Sequence, residues 1–211
     1  MSWTASAWSV TKKKSKLASQ ADPQERAAFQ EKQKTLAIED LIFLDEFGIN
    51  LAMTRTHARA PLGERAQVTE PFKHGSNLSV ISAMGLHAVC APMTIAGAVN
   101  SEVFDLYVEH LLVPCLSPDK IVLLDNVKFH YSPRAIELIE AAGASVWHIP
   151  AYSPDLNPIE ECISKLKETL RSLKARTKRK LYNALAKAIA LVTESDIHGW
   201  FKHCGYVFSL K

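Results

Sequence analysis

Leu41-Ile42-Phe43-Leu44-Asp45-Glu46-Phe47-Gly48 is the stretch that decides how this chain folds. Four consecutive apolar residues running into two acids read as a strand buried on both faces that reaches a polar rim. The pattern recurs at Ile121-Val122-Leu123-Leu124, which ends in Asp125. Such continuous apolar runs belong to the covered middle of a sheet. If the two strands are neighbours, Asp45 and Asp125 emerge together at one rim, where paired carboxylates repel unless a proton or cation intervenes. Hard divalent ions such as Mg²⁺ prefer these oxygen ligands.

Further elements surround these two strands. Leu78 to Met84 and Val89 to Ile95 read as strands joined closely enough for antiparallel pairing. Thr54 to Asn77, rich in Arg, Gly, Pro and His, reads as an exposed connection. Asn100 or Ser101 can cap a helix carrying Val103, Phe104, Tyr107, Val108, Leu111 and Leu112, which Pro114 ends. A second helix, Pro133 to Ala142, stops at Gly143, and Ser145 to Ile149 is the last strand. Asn157 with Pro158 opens a helix with the apolar stripe Ile159, Ile163, Leu166, Leu170 and Leu173, and another helix spans Lys178 to Val192. This order predicts an α/β fold, a mixed five-stranded sheet with helices on both faces. Residues 1–36 read as an arm or linker, 37–195 as the folded domain and 196–211 as a C-terminal tail.

Composition excludes several classes. With 47% apolar and 22% charged residues among 211, the chain is too apolar to be disordered. No run approaches the ~18 apolar residues of a membrane span, and the first residues lack the apolar centre of a signal peptide. Cys90, Cys115, Cys162 and Cys204 lie far apart, and His198, His203 and Cys204 lack zinc-finger spacing, so neither a disulfide framework nor structural zinc is expected. A P-loop is absent from the sequence.

The net charge of +3 hides a segregation. Residues 165–180 hold eight cations (Lys165, Lys167, Arg171, Lys174, Arg176, Lys178, Arg179, Lys180) against Glu168, a local +7 that leaves −4 for the rest. Such a block is either a solvated helix face or a surface for a polyanion. Glu160, three residues into its helix, is open to two roles: a capping partner of Asn157, or a third carboxylate at the rim. It heads a column with Ser164, Lys167, Arg171 and Lys174 at helical spacing. One carboxylate followed by three cations suits a metal-bound phosphodiester whose strand runs along the helix.

Three blocks then carry a family resemblance: Phe43-Leu44-Asp45-Glu46-Phe47-Gly48, Leu123-Leu124-Asp125-Asn126 with Phe129-His130, and Tyr152-Ser153-Pro154-Asp155-Leu156-Asn157-Pro158-Ile159-Glu160. In order and spacing, with 34 residues between Asp125 and Glu160, they resemble the signature blocks of Asp-Asp-Glu transposases of the mariner-like superfamily, bacterial insertion-sequence branch. The resemblance implies a ribonuclease-H-like catalytic domain in which Asp45, Asp125 and Glu160 hold two Mg²⁺ ions (Mn²⁺ substituting) for DNA cleavage and strand transfer. It also implies element-end and target DNA as partners, a homodimer on that DNA, and a cytoplasmic, nucleoid-associated location. Asn126 and His130 are accessory candidates for orienting a metal-bound water or the DNA backbone, Tyr152 for stacking on an unpaired base, and Arg55, Arg59 and Arg65 for phosphates. Complete relatives carry an upstream recognition region, for which ~40 residues are too few. A catalytic fragment, or the second frame of a split element partnered by an upstream-frame product, is therefore expected. The competing classes are a DNA-binding fragment that limits a full-length transposase, and a metal phosphohydrolase acting on a small molecule.

Overall fold

The computed structural model describes residues 18–57, 60, 64–67, 71, 75 and 77–207. Strands β1 (Leu41–Ile49), β2 (Leu78–Met84), β3 (Val89–Ala96), β4 (Ile121–Leu124) and β5 (Ser145–His148) form one sheet in the order β3-β2-β1-β4-β5. The β1–β2 and β2–β3 pairs are antiparallel, and β1–β4 and β4–β5 are parallel. The expected mixed five-stranded sheet is therefore present. Parallel neighbours require crossovers. Helix α2 (Ser101–Tyr107), continued by a π turn to Leu112, makes the first, and α3 (Pro133–Ala141) makes the second. Asn100 caps α2 by accepting the Val103 N–H at 2.9 Å. Gly143 takes the left-handed backbone, φ +83°, that releases the chain from α3 into β5.

Alternation along β1 divides the core in two. Leu41, Phe43 and Phe47 pack with α4 (Pro158–Leu173), α5 (Lys178–Ala190) and α6 (Glu194–His203), through Ile159, Ile163, Leu166, Leu181, Leu185 and Phe201. Ile42 and Leu44 pack on the opposite face with Phe104 and Tyr107 of α2 and Ile139 of α3. Helices thus cover both faces, as expected. Among the described residues no helix is long and apolar enough to cross a membrane.

Three expectations change. First, β1 does not end at its acids but continues to Ile49, held over Phe43–Ile49 by β2. Second, the stretch expected as a tail carries α6, opened by a capping box between Thr193 and Asp196. Ile197 and Phe201 are fully buried and Tyr206 nearly so. The Phe201 and Tyr206 rings stand edge-on to Phe43, with centroids at 5.3 and 5.2 Å.

Third, the expected arm contains α1 (Pro23–Gln33), which docks on the domain. Arg26 clasps Asp155 through two bonds of 2.9 and 2.7 Å, Gln33 donates to the Cys204 carbonyl at 2.7 Å, and Phe29 enters the core.

Replacing Phe201 by Ala should cost about 3–5 kcal/mol of unfolding free energy in a urea titration. A dispensable tail would give a change within the error of the measurement.

Candidate active site

The register of the central parallel pair sets the site. Leu41 lies opposite Ile121 and Phe43 opposite Leu123; two residues further, Asp45 comes level with Asp125. There the strands part: β4 has ended, and Asp125 turns the chain by accepting the Val127 N–H on Oδ1 at 3.1 Å. β1 continues with support from β2 alone, leaving both carboxylates at an opening in the sheet. Asp45 shares a face with Phe43, the side covered by α4. The first turn of α4 brings Glu160 to the same place.

The charges of these groups are strongly coupled. Asp45 is buried, accepts the Glu46 N–H at 2.7 Å, and is surrounded electrostatically by acids. Burial first, then the charges of Glu160 and Asp125, push its pKa up to about 8. Burial also raises Glu160; Lys167 opposes this, and Asp125 and Glu46 reinforce it. Burial alone would raise Asp125 as well. The hydrogen bond and positive charge of His130, with the Val127 N–H, outweigh it and hold Asp125 below the usual carboxylate range.

His130 is fully buried between Phe104 and Phe129, with ring centroids at 4.8 and 4.7 Å. Its Nδ1 donates to Asp125 Oδ1 at 2.6 Å, and its Nε2 lies 3.5 Å from Glu46 Oε2, an ion-pair separation without hydrogen-bond alignment. Burial disfavours the imidazolium, but the Asp125 hydrogen bond and the negative charges of Asp125 and Glu46 carry its pKa up to about 9. His130 therefore reaches neither solvent nor a DNA backbone, contrary to part of the sequence expectation. It clamps Asp125 and leaves Oδ2 as that carboxylate's free oxygen. Asn126 is also structural: Nδ2 donates to the Ile149 carbonyl at 2.5 Å, and Oδ1 accepts from the Tyr131 hydroxyl. It ties the ends of β4 and β5 together.

Glu160 does not form a capping box. The Asn157 N–H, which such a box would use, bonds the Pro154 carbonyl at 3.1 Å, and the Asn157 side chain makes no cap. The carboxylate faces a cleft of ≈ 420 Å³ shared with Asp125, Asn126, Pro150 and Tyr152. The all-oxygen donor set and the repulsion stored at buried Asp45 fit hard divalent cations. The trio whose ligand atoms all lie within 4.8 Å among the described residues is instead Glu161, His203 and Cys204, so the three carboxylates are spread more widely than that. In this trio the His203 ring bonds the Glu161 carboxylate, and burial pushes the Cys204 thiol up to about 12.

The basic residues divide into two groups. The Lys167 ammonium lies 5.7 Å from the Phe47 ring centroid and acts on Glu160, beside the site. Arg55 and Arg171 line a polar groove of ≈ 580 Å³ along α4. Lys174, Lys178 and Arg179 are exposed, the last two in the first turn of α5, where cations oppose the helix dipole. Arg65 is exposed, while Arg59 lies outside the described residues. Arg176 departs from expectation: its guanidinium donates to the Leu51 and Met53 carbonyls at 2.8 and 3.1 Å, fixing the segment that carries Arg55. The Glu46–His130 and Arg26–Asp155 pairs are supports that sequence reasoning missed.

The match of a DDE superfamily endonuclease model to residues 40–182 agrees with this arrangement, and the chain belongs to that family. Among solved structures it resembles the Mos1 transposase paired-end complex with left transposon end, at TM-score 0.70 and 13% identity, covering 94% of this chain and 64% of that one. It also resembles the Mos1 mariner paired-end complex with Mn, at 0.70 and 16%, covering 93% and 64%. For the catalytic domain of Mos1 mariner transposase the values are 0.62 and 15%, covering 88% and 93%. The fold is thus the ribonuclease-H-like one, and the chain spans less than two thirds of the longer proteins. Among curated proteins none matches the chain.

The raised Asp45 and His130 pKa values give a signed prediction. Both groups bind more protons folded than unfolded, Asp45 between about pH 4 and 8 and His130 between about 6.5 and 9. Their stabilising contributions are present at low pH and lost as pH rises through these windows. The metal-free melting temperature should fall from pH 5 to pH 8, and Mg²⁺ should restore it at pH 8. Asp45→Asn should flatten the lower part of the profile and abolish the Mg²⁺ response in differential scanning calorimetry.

Proposed function

We propose that the chain is the catalytic domain of a DNA transposase of the mariner-like superfamily, bacterial insertion-sequence branch. The observation that carries this is the meeting of Asp45, Asp125 and Glu160 at the opening between β1 and β4, with Asp45 buried against two further acids. Asp45, Asp125 and Glu160 would hold two Mg²⁺ ions, with Mn²⁺ as a substitute. Such a pair would supply electrostatic stabilisation of the charge that develops in a phosphodiester displacement. Mos1 complexes with Mg and with Mn are among the similar structures and support this choice.

The chain's own residues prepare the site. The Glu46 N–H and the His130 ring each occupy one oxygen of Asp45 and Asp125, so the other oxygen of each faces the opening. The groove lined by Arg55 and Arg171, with Lys167, Lys174, Lys178 and Arg179, provides positive charge for the DNA strand entering that opening. Arg59 joins this set as a sequence candidate from the same connection as Arg55. Arg176 acts by holding the Arg55 segment.

The partners are element-end and target DNA, engaged by a homodimer, in the cytoplasm on nucleoid DNA. A further proposed partner is an upstream-frame product that supplies end recognition; the alternative reading is a fragment that binds DNA or a full-length transposase without completing transposition.

Asp125→Asn should abolish Mg²⁺-dependent nicking of a plasmid bearing the element's terminal repeats, while DNA affinity stays within about threefold. Wild-type nicking by this variant would remove Asp125 from its central role.

Arg171→Ala and Lys174→Ala should weaken binding to every duplex alike and each lower the salt slope by about 1. Arg176→Ala should act mainly through stability, losing about 1 kcal/mol as two half-buried carbonyls lose their donor. Salt titrations and chemical denaturation of the three variants separate these outcomes.

A further inference from the structure

Away from the rim carboxylates, three helix ends meet around Cys204. Glu161 comes from the first turn of α4, His203 is the last residue of α6, and Cys204 follows it. A carboxylate oxygen, an imidazole nitrogen and the thiol sulfur of these residues all lie within 4.8 Å of one another. Gln33 of α1 donates to the Cys204 carbonyl at 2.7 Å and holds the backbone of this corner. No local spacing in the sequence reveals the group, because Glu161 stands 42 residues before His203.

The three donors are graded from core to solvent. Cys204, at the inner end, is 4% exposed, and among the described residues its sulfur has no hydrogen-bond partner. Glu161 is half-buried and His203 exposed, and their side chains bond each other on the solvent side. Burial first, then the charges of Glu161 and Asp155, keep the thiol protonated. Arg26 already occupies both Asp155 oxygens, which leaves Glu161 and His203 as the groups able to turn toward an ion. A hard ion such as Mg²⁺ prefers oxygen donors alone. Sulfur, imidazole and carboxylate together select a borderline-soft divalent ion, above all zinc, whose bonds to them are ~2.0–2.3 Å long. The exposed His203 ring can swing off Glu161 to admit the ion between them.

We propose that Glu161, His203 and Cys204 form a zinc site that fastens the end of α6 to the first turn of α4, with water in the fourth position. As the Zn–S bond forms, the thiol proton passes to solvent. Zinc bound only by the folded chain stabilises it. The site differs from the all-oxygen rim in its donors and stands independently of the nuclease function proposed above.

The test titrates the full, reduced chain with Co²⁺ as a spectroscopic probe and Zn²⁺ as competitor. Co²⁺ should produce a thiolate-to-cobalt charge-transfer band in the near ultraviolet; Co²⁺ held by the rim carboxylates alone gives none. Zn²⁺ should displace the band and raise the melting temperature. Cys204→Ser should lose the band, and His203→Ala should lower zinc affinity about tenfold or more. Absence of the band from the wild-type chain overturns the proposal. So does a band that survives in Cys204→Ser, which would arise from another cysteine. Should Cys204→Ser fail to fold, the exposed His203→Ala variant decides: a loss of about tenfold or more supports the site, and unchanged zinc affinity overturns it. None of these readouts involves DNA, so failure of the zinc site and failure of the nuclease reading are separate results.

Discussion

The hydrogen-bonded register between β1 and β4 is the constraint on which the site depends. Because Phe43 sits against Leu123, Asp45 must come level with Asp125. A one-residue slip would turn Phe43 out of the core it shares with Phe201 and Tyr206 and swing Asp45 to the opposite face. Hydrophobic packing two residues away therefore enforces a juxtaposition that electrostatics resists. Neither the register nor the burial of Asp45 can relax without disturbing the core. The repulsion is left for a proton or a cation to relieve, and the pKa of about 8 at Asp45 expresses it.

His130 solves a related problem for Asp125. A carboxylate at a strand end has rotational freedom that the metal-ligand role proposed for Asp125 would not tolerate. Wedged between Phe104 and Phe129, the ring cannot follow Asp125 if it turns, so it fixes Oδ1. Glu46, pointing to the opposite face from Asp45, neutralises the far side of the imidazolium. Adjacent acids on one strand thus act on two sides of the sheet, one toward the opening and one toward its support. Arg26 and Asp155 perform a comparable service for the turn leading into α4, and through it for Glu160.

Much of this was legible in the sequence because apolar runs and their terminal acids are local signals. Leu41–Leu44 and Ile121–Leu124 identify central strands, and both aspartates follow from them. Glu160 needed the block around it, since its position in a helix's first turn suits capping equally well; only the use of the Asn157 N–H elsewhere separates the roles. The docking of α1 was not legible, because its buried face is Arg26, Phe29 and Gln33: two of the three are polar residues that enter through specific long-range bonds. Periodicity of apolar residues cannot report such a face. Helix α6 did leave a signal in Thr193 and Asp196 followed by Ile197 and Phe201 at a spacing of four, the pattern of a capped amphipathic helix. The diversion of Arg176 to two carbonyls is invisible in a basic run, where every cation looks alike.

The segregation of charge has a single physical explanation under the proposed function. Acids gather at the opening between β1 and β4 and cations along α4 and the start of α5, although mixing the two would relieve both sets. Lys178, Arg179 and Lys180 even occupy the first turn of α5, with no acid there to offset the helix dipole. Both arrangements cost stability in the isolated chain. Divalent cations satisfy the first and a phosphodiester strand satisfies the second, and a metal-bound phosphate at the head of α4 satisfies both at once. Lys167, acting on Glu160 from the next turns of the same helix, stands where the two fields meet. Under the proposed function, the frustration in the free protein matches one ligand, a metal-loaded nucleic-acid strand, and neither field alone would select it.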